Sequence, residues 1–360
     1  MRKKRVISDL KRNICTGVCI LIFSALNFNL KAQSENAKGV KIINVQDKKR
    51  IDVFINESLF TSFHYSESIE KTFLFPVNSP DGSVITRGYP IEPRKGERID
   101  HPHHIGIWFN HGNVNGLDFW NNSSAIPANQ KDLYGHIVYQ RTNVITGGRK
   151  GILEVFQNWE DNKGNILLTE KVMFIFKGDK NSRTIDHVST LTAVNGPVTF
   201  GDSKEGLFAI RVDRAFEMPS TESLIFTDEK GNPTEVKAID NTGVSGMYLS
   251  DMGLKGDAVW GTRNAWVILS GVKNNIPISM AIFDNPKNPG FPAYAHARGY
   301  GLFSLNNFGQ NSYDPKQEKR SYTIKKGESV TLYHRFYVQS GSELVPDKAN
   351  KIFKEFEKEY

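Results

Sequence analysis

Four of the nine histidines fall within eleven residues, at positions 101, 103, 104 and 111 of Asp100-His101-Pro102-His103-His104-Ile105-Gly106-Ile107-Trp108-Phe109-Asn110-His111-Gly112. Imidazole ionises nearest neutrality and is the commonest side-chain ligand for metals. Packing alone seldom demands it at this density. Pro102 biases His101 toward an extended conformation. Alternate side chains of an extended chain share a face, so His101 and His103 are expected on one side and His104 on the other.

Three readings fit the cluster. His101, His103 or His111 could donate or accept a proton while Asp100 or Asn110 fixes the tautomer. His101 and His103 could instead chelate a divalent metal, with His111 or a distant carboxylate completing the shell. The third reading is structural, with the rings capping turns or bonding backbone at a strand start. A His-x-His pair is weakly specific, and no His-Glu-x-x-His motif accompanies it.

Two later segments carry related chemistry. In Thr199–Asp213, Phe208, Ile210 and Val212 should face a core, leaving Ala209, Arg211 and Asp213 on the other face with Glu205. Gly201 and Gly206 bracket Lys204-Glu205 and permit tight backbone geometry there. In Asn288–Gly301, Tyr294, His296, Arg298 and Tyr300 alternate with Ala and Gly, so one face is polar-aromatic and the other nearly bare. Aromatic rings stack on apolar sugar faces while Arg and His bond hydroxyls. The acid–base candidates are therefore His101, His103, His111 and Glu205. The substrate-binding candidates are Arg87, His104, Trp108, Lys204, Arg211, His296 and Arg298. Each has a plain alternative, a solvated arginine ladder or a core tryptophan. No P-loop, dinucleotide fingerprint or Gly-x-Ser-x-Gly elbow is present.

The elements that must position these residues are strands. Short alternating segments separated by turn residues run from about residue 38 onward. Val40–Val45 and Ile51–Ile55 predict a hairpin, and Asp161-Asn162-Lys163-Gly164-Asn165 joins Gly151–Trp159 to Ile166–Phe176 as another. Strands are also predicted at Leu207–Phe216, Ala265–Val272, Ile278–Phe283, Gly299–Leu305 and Ser329–Val338. Only the C-terminus keeps a helical period: Ala349, Ile352, Phe353, Phe356 and Tyr360 align after Pro346-Asp347 and should pack outside a sheet. The pattern predicts an all-β chain: one large antiparallel β-sandwich over residues 40–340, then a C-terminal amphipathic helix over 341–360.

Residues 1–32 read as a signal peptide, with a basic head, an apolar run from Ile14 to Leu26 and a cut near Ala32; 33–39 form a short linker. A retained anchor is the alternative. The whole chain has a net charge of +7, of which residues 1–32, with seven basic residues and one acidic, carry most. The remainder is near neutral, so its charge gives no reason to expect a nucleic-acid partner. Both cysteines, Cys15 and Cys19, leave with the leader, excluding a thiol nucleophile or a disulfide from the rest. A periplasmic or secreted location follows, with no membrane contact after cleavage.

Thr86–Pro90, Asp100–Trp120, Pro197–Arg211, Trp260–Trp266 and Ala281–Phe303, in that order, resemble the exported bacterial family labelled "methane oxygenase PmoA". The likeness spans roughly residues 70–340. Methane monooxygenase subunits of that name are polytopic membrane proteins, whereas no stretch after the leader approaches about 18 apolar residues. No oxygenase reaction is therefore carried over. The family is similar in turn to the galactose-mutarotase-like supersandwich proteins, which implies a supersandwich fold and a carbohydrate ligand in a concave sheet. By that resemblance His101–His111 would supply the early histidines, and Lys204-Glu205 to Arg211 would line the same cleft. One departure stands: the late catalytic glutamate of aldose epimerases has no counterpart, because Glu318 and Glu328 sit in no matching motif.

The leading expectation is a carbohydrate-active protein using histidine acid–base chemistry for epimerisation, elimination or hydrolysis. His103 and His111 are the first candidates for acid and base, and no cofactor is required. The alternatives are a divalent-metal-dependent oxidoreductase or hydrolase built on His101 and His103, and a non-catalytic glycan-binding module.

Overall fold

The hairpin predicted at the start forms, with Val40 opposite Ile55 and Val45 opposite Arg50. Lys49 closes its turn in the left-handed region, at φ 49°. The computed structural model describes residues 39–360 apart from Ser223, Glu229, Lys237 and Ala238. The leader expected at 1–32 and all but Gly39 of the linker lie outside the described residues.

Two large antiparallel sheets face each other. One has nine strands in the order Val40–Val45, Arg50–Ile55, Ser58–His64, Phe73–Val77, Ile107–His111, Gly206–Arg211, Leu302–Asn306, Ala293–Arg298 and Arg263–Asn264. The other has eight, Met247–Ser250, Trp266–Lys273, Ile276–Asp284, Ser329–Ser340, Ser182–Ala193, Ile166–Gly178, Gly151–Asp161 and Gly135–Thr146. The second predicted hairpin lies in this sheet, with Gly151 opposite Phe176 and Trp159 opposite Leu168.

Period-two alternation decides what lies between the sheets. Phe109, Phe208, Ile210, Phe303 and Leu305 turn inward and join Leu153, Val155, Trp159 and Val172 of the facing sheet in one apolar core. The bare face of the 293–298 strand is inward too: Ala293, Ala295 and Ala297 are core, and their small side chains admit close packing. The fold is thus the antiparallel β-sandwich expected from the pattern.

Each sheet has a second apolar face, and these differ. The outer face of the eight-stranded sheet is covered by the helix Pro346–Glu359, the only α-helix among the described residues. Ala349 and Phe356 of that helix pack on Trp266, Ile268, Ala281, Phe283 and Tyr337. A fully buried Phe contributes roughly 1.5–3 kcal/mol. Glu359 adds a polar clamp, reaching Arg335 at 2.7 Å and Lys177 at 2.5 Å. The outer face of the nine-stranded sheet carries a smaller cluster, Phe73, Phe75, Ile105, Trp108, Trp120, Ala209 and Leu302, with Tyr300 against it.

Two strands are shorter than expected. The one predicted over 207–216 ends at Arg211, because Asp213 accepts from Ala215 N–H at 3.0 Å and caps a 3-10 turn over Arg214–Phe216. The one predicted from Gly299 begins at Leu302, since Gly301 turns the chain at φ 91°.

Candidate functional site

Strand parity divides the predicted residues between two faces. Trp108 and Ala209 pack in the outer cluster of the nine-stranded sheet with Leu302. Arg211, His296 and Arg298 share their phase and stand on the same face. His111 has the opposite phase. Its ring lies in the interior against Phe200 and Phe308, at 5.6 and 5.9 Å, and its Nε2 donates to Gly201 O at 2.7 Å. Burial pushes its pKa down to about 4. The expectation that His111 works beside His103 is therefore corrected: the sheet lies between them. Asn110 is likewise occupied, donating to Phe119 O at 2.6 Å, and orients no imidazole.

The other three histidines meet, but not by alternation. His101 takes a φ of 41° rather than the extended conformation expected before proline. His104 N–H then bonds His101 O at 2.9 Å, closing a turn. The turn gathers all three rings, with centroids 4.4 Å apart for 103–104, 4.8 Å for 101–104 and 5.6 Å for 101–103. Tyr300 lies parallel to His101 at 5.1 Å.

Two buried arginines hold this turn. Arg87, 1% exposed, donates to the carbonyls of Asp100 and His101 at 2.9 Å each and of His104 at 3.2 Å, and to the Asp100 carboxylate. Arg211, 0% exposed, donates to Asp100 Oδ1 at 2.7 Å and to His104 Nδ1 at 3.1 Å. A guanidinium can only donate, so His104 carries its proton on Nε2. Burial alone would raise the Asp100 carboxyl, but the hydrogen bond with His101 and the charges of Arg211 and Arg87 outweigh it and hold it well below the usual carboxylate range.

Exposure separates the frame from what a ligand can touch. Arg87, Arg211, His104 and Trp108 are sealed and act as framework, not as the substrate contacts expected. His103 is buried, and burial with the nearby Lys71 charge pushes it down to about 2, so it stays neutral throughout the working range. His101 is 40% exposed and its Nδ1 stands 3.3 Å from Asp100 Oδ2. The carboxylate accepts there, which leaves Nε2 as the free nitrogen.

Glu205, 21% exposed, completes the accessible set. Gly112 keeps it close: a Cβ there would stand 2.8 Å from Glu205 Cβ. Burial raises the Glu205 carboxyl above its ordinary value against the opposing charge of Lys204, whose exposed ammonium is 3.9 Å away. His296 donates from Nδ1 to Lys204 O at 3.0 Å with Glu205 Oε2 at 3.7 Å, and burial depresses it to about 3. Burial takes the Tyr300 phenol up to about 12. Tyr300 and Arg298 also wall a cleft of about 360 Å³, with Trp260 and Arg98 among its other sides. The accessible imidazole meets this cleft only through Tyr300, on whose ring it stacks, and does not itself line it.

Lys71 escaped the sequence reading. It is 2% exposed, donates to His103 O at 2.5 Å and to Trp120 O at 3.5 Å, and lies 5.2 Å from the Trp108 ring centroid. The signal was its phase: Lys71, Phe73 and Phe75 alternate, and both phenylalanines belong to the outer cluster. As for a metal, no three His, Cys, Asp or Glu side chains among the described residues are grouped to hold one. No helix among them is long and apolar enough to cross a membrane.

Fold and site together define an antiparallel β-sandwich with a histidine-bearing polar site on the outer face of its nine-stranded sheet. Residues 50–354 match the family model described as "Family of unknown function (DUF6807)", and the chain belongs to that family. No curated protein sequence matches it. Solved structures similar to it include an α-galactosidase from Lactobacillus brevis, at 8% identity and TM-score 0.41, covering 84% of this chain and 40% of that one. A galactose mutarotase-like protein from Clostridium acetobutylicum matches at 10% identity and TM-score 0.33, covering 83% and 98%. A putative aldose 1-epimerase from Escherichia coli K12 matches at 8% identity and TM-score 0.27, covering 85% and 100%. The chain spans about two fifths of the α-galactosidases it matches. Likenesses at this level decide nothing about chemistry.

Proposed function

We propose that this chain is a carbohydrate-active protein that moves a proton on a sugar or glycoside bound beside His101. The observation that carries the reading is the exposed His101, oriented by Asp100 and stacked on Tyr300, whose ring also walls the cleft with Trp260. A general base needs a free lone pair within reach of substrate and a second group to fix its ring. His101 has both. Glu205, its carboxyl raised by burial, is the second proton-transfer group, and it suits the acid role because burial favours its protonated form. Tyr300 and Trp260 offer ring faces to the apolar side of a pyranose, while Lys204, His296 and Arg298 offer hydrogen bonds. The reaction class is epimerisation, elimination or hydrolysis.

Export belongs to the same proposal. The leader read in residues 1–32 would deliver the chain to the periplasm or beyond, where soluble oligosaccharides are met. The sequence likeness to the family labelled "methane oxygenase PmoA" is compatible with this location and brings no oxygen chemistry with it.

The test is incubation of the purified protein with a panel of sugars and oligosaccharides, followed by proton NMR for anomeric ratio and by mass spectrometry. A change with wild type that His101→Asn abolishes supports the reading. Turnover by the variant at the wild-type rate removes His101 from the mechanism, and an unchanged panel with wild type overturns the reading itself.

A further inference from the structure

Arg298 ends the strand Ala293–Arg298 with its guanidinium exposed, 5.8 Å from the ring centroid of Trp260 and 5.8 Å from that of Tyr300. Among the described residues no carboxylate lies within 4 Å of it. It fronts the 360 Å³ cleft, and its field reaches the reacting groups. Burial dominates the depression of His296 and Arg298 adds to it, while the same charge opposes the rise of Glu205.

The buried layer behind the cleft is also short of negative charge. Asp100 serves both Arg87 and Arg211. Glu217 serves both Arg98, at 2.6 Å, and Arg214, at 3.3 Å. Four guanidiniums thus rest on two carboxylates. The acidic residues that line the cleft, Glu222 and Asp257, are on its exposed rim, where solvent and salt screen them. An arginine held between two rings is always charged and presents a fork matched to carboxylate or sulfate oxygens. A neutral sugar gives such a group no charge to meet.

We propose that the cleft walled by Tyr300 and Trp260 takes an acidic sugar, one bearing a carboxylate or a sulfate, and that Arg298 receives that group. This rests on the reading of the face as a sugar site.

The experiment is calorimetric titration at neutral pH and low salt with methyl glycosides of the gluco, galacto and manno series. Each is offered as the neutral hexoside, the uronide and the 6-sulfate. In at least one series the charged glycoside should bind about tenfold or more tightly than its neutral partner, and Arg298→Gln, with an unchanged melting temperature, should erase most of that advantage. A uronide preference identifies a carboxylate site and a sulfate preference an ester-sulfate site; either supports the proposal. Neutral hexosides binding as well as the charged ones, or an anionic preference that survives in Arg298→Gln, overturns it and leaves the sugar reading standing. Binding of no glycoside in any series overturns both.

Discussion

His101 Nδ1 lies 3.3 Å from Asp100 Oδ2, and the other oxygen of that carboxylate holds Arg211 at 2.7 Å and Arg87 closer still. One carboxylate thus orients the accessible imidazole and is the shared counter-charge of two guanidiniums that solvent does not reach. Replacing it by an amide leaves buried charge uncompensated, at a cost on the order of 3–5 kcal/mol. Asp100→Asn is therefore expected to lower the urea unfolding free energy by that order. The wild-type contribution has a defined pH window. The folded carboxyl titrates below its unfolded value of ~3.9, so the contribution is complete above that value and is lost as pH falls through the folded value. A loss under about 1 kcal/mol in Asp100→Asn would show that the arginines find other partners.

His111 and His101 separate stability from chemistry. The interior ring of His111 fills space between Phe200 and Phe308, so His111→Ala opens a cavity and should cost about 2–4 kcal/mol. Its turnover per folded molecule should match wild type when assayed well below the melting temperature. His101→Ala should do the reverse, leaving the denaturation midpoint nearly unchanged and removing turnover. Loss of activity in a fully folded His111→Ala protein would contradict the placement of the sheet between the two histidines.

The strands were legible because their physics is local. Alternation at Phe208 and Ile210, or at the alanines 293, 295 and 297, depends only on the pleat, and the helix face of Ala349 and Phe356 only on its turn. The clustering of histidines in this segment was legible for the same reason, although the pleat put His104 on the face opposite His101 and His103. Their arrangement was not. Whether the chain before Pro102 extends or turns is settled by Arg87, which bonds three carbonyls of the loop from thirteen or more residues away in sequence. The exclusion of His111 follows from where the strand Ile107–His111 begins, a boundary that a one-residue shift would invert. Lys71 was hidden because a lysine before an apolar run reads as a solvated flank until the loops of His103 and Trp120 close over it.

Glu205 offers a probe of function with little structural cost. Its carboxylate has only a distant contact with the exposed Lys204 and a 3.7 Å approach to His296. Glu205→Gln keeps the shape and removes the proton donor. The melting temperature should shift by no more than ~2 °C, while turnover falls about 10²-fold or more. Activity that survives within about threefold would assign the acid role elsewhere.

Lys71 makes a separate prediction about pH and stability. Burial lowers its pKa to about 7, against the weaker opposing charges of Glu70 and Asp118. The unfolded ammonium titrates near ~10.4, so between these values the unfolded chain binds more protons at this position than the folded one. Stability must then rise with pH through that window, by up to about 1.4 kcal/mol per pH unit from this residue alone. Lys71→Met removes the group while keeping a similar length against the Trp108 ring. Urea unfolding at intervals from pH 7.5 to 9.5 should give a steeper rise for wild type than for Lys71→Met, and other lysines and tyrosines cancel in the difference. Parallel curves would mean that Lys71 keeps an ordinary pKa, and that the loops of His103 and Trp120 stand open enough for water to solvate it.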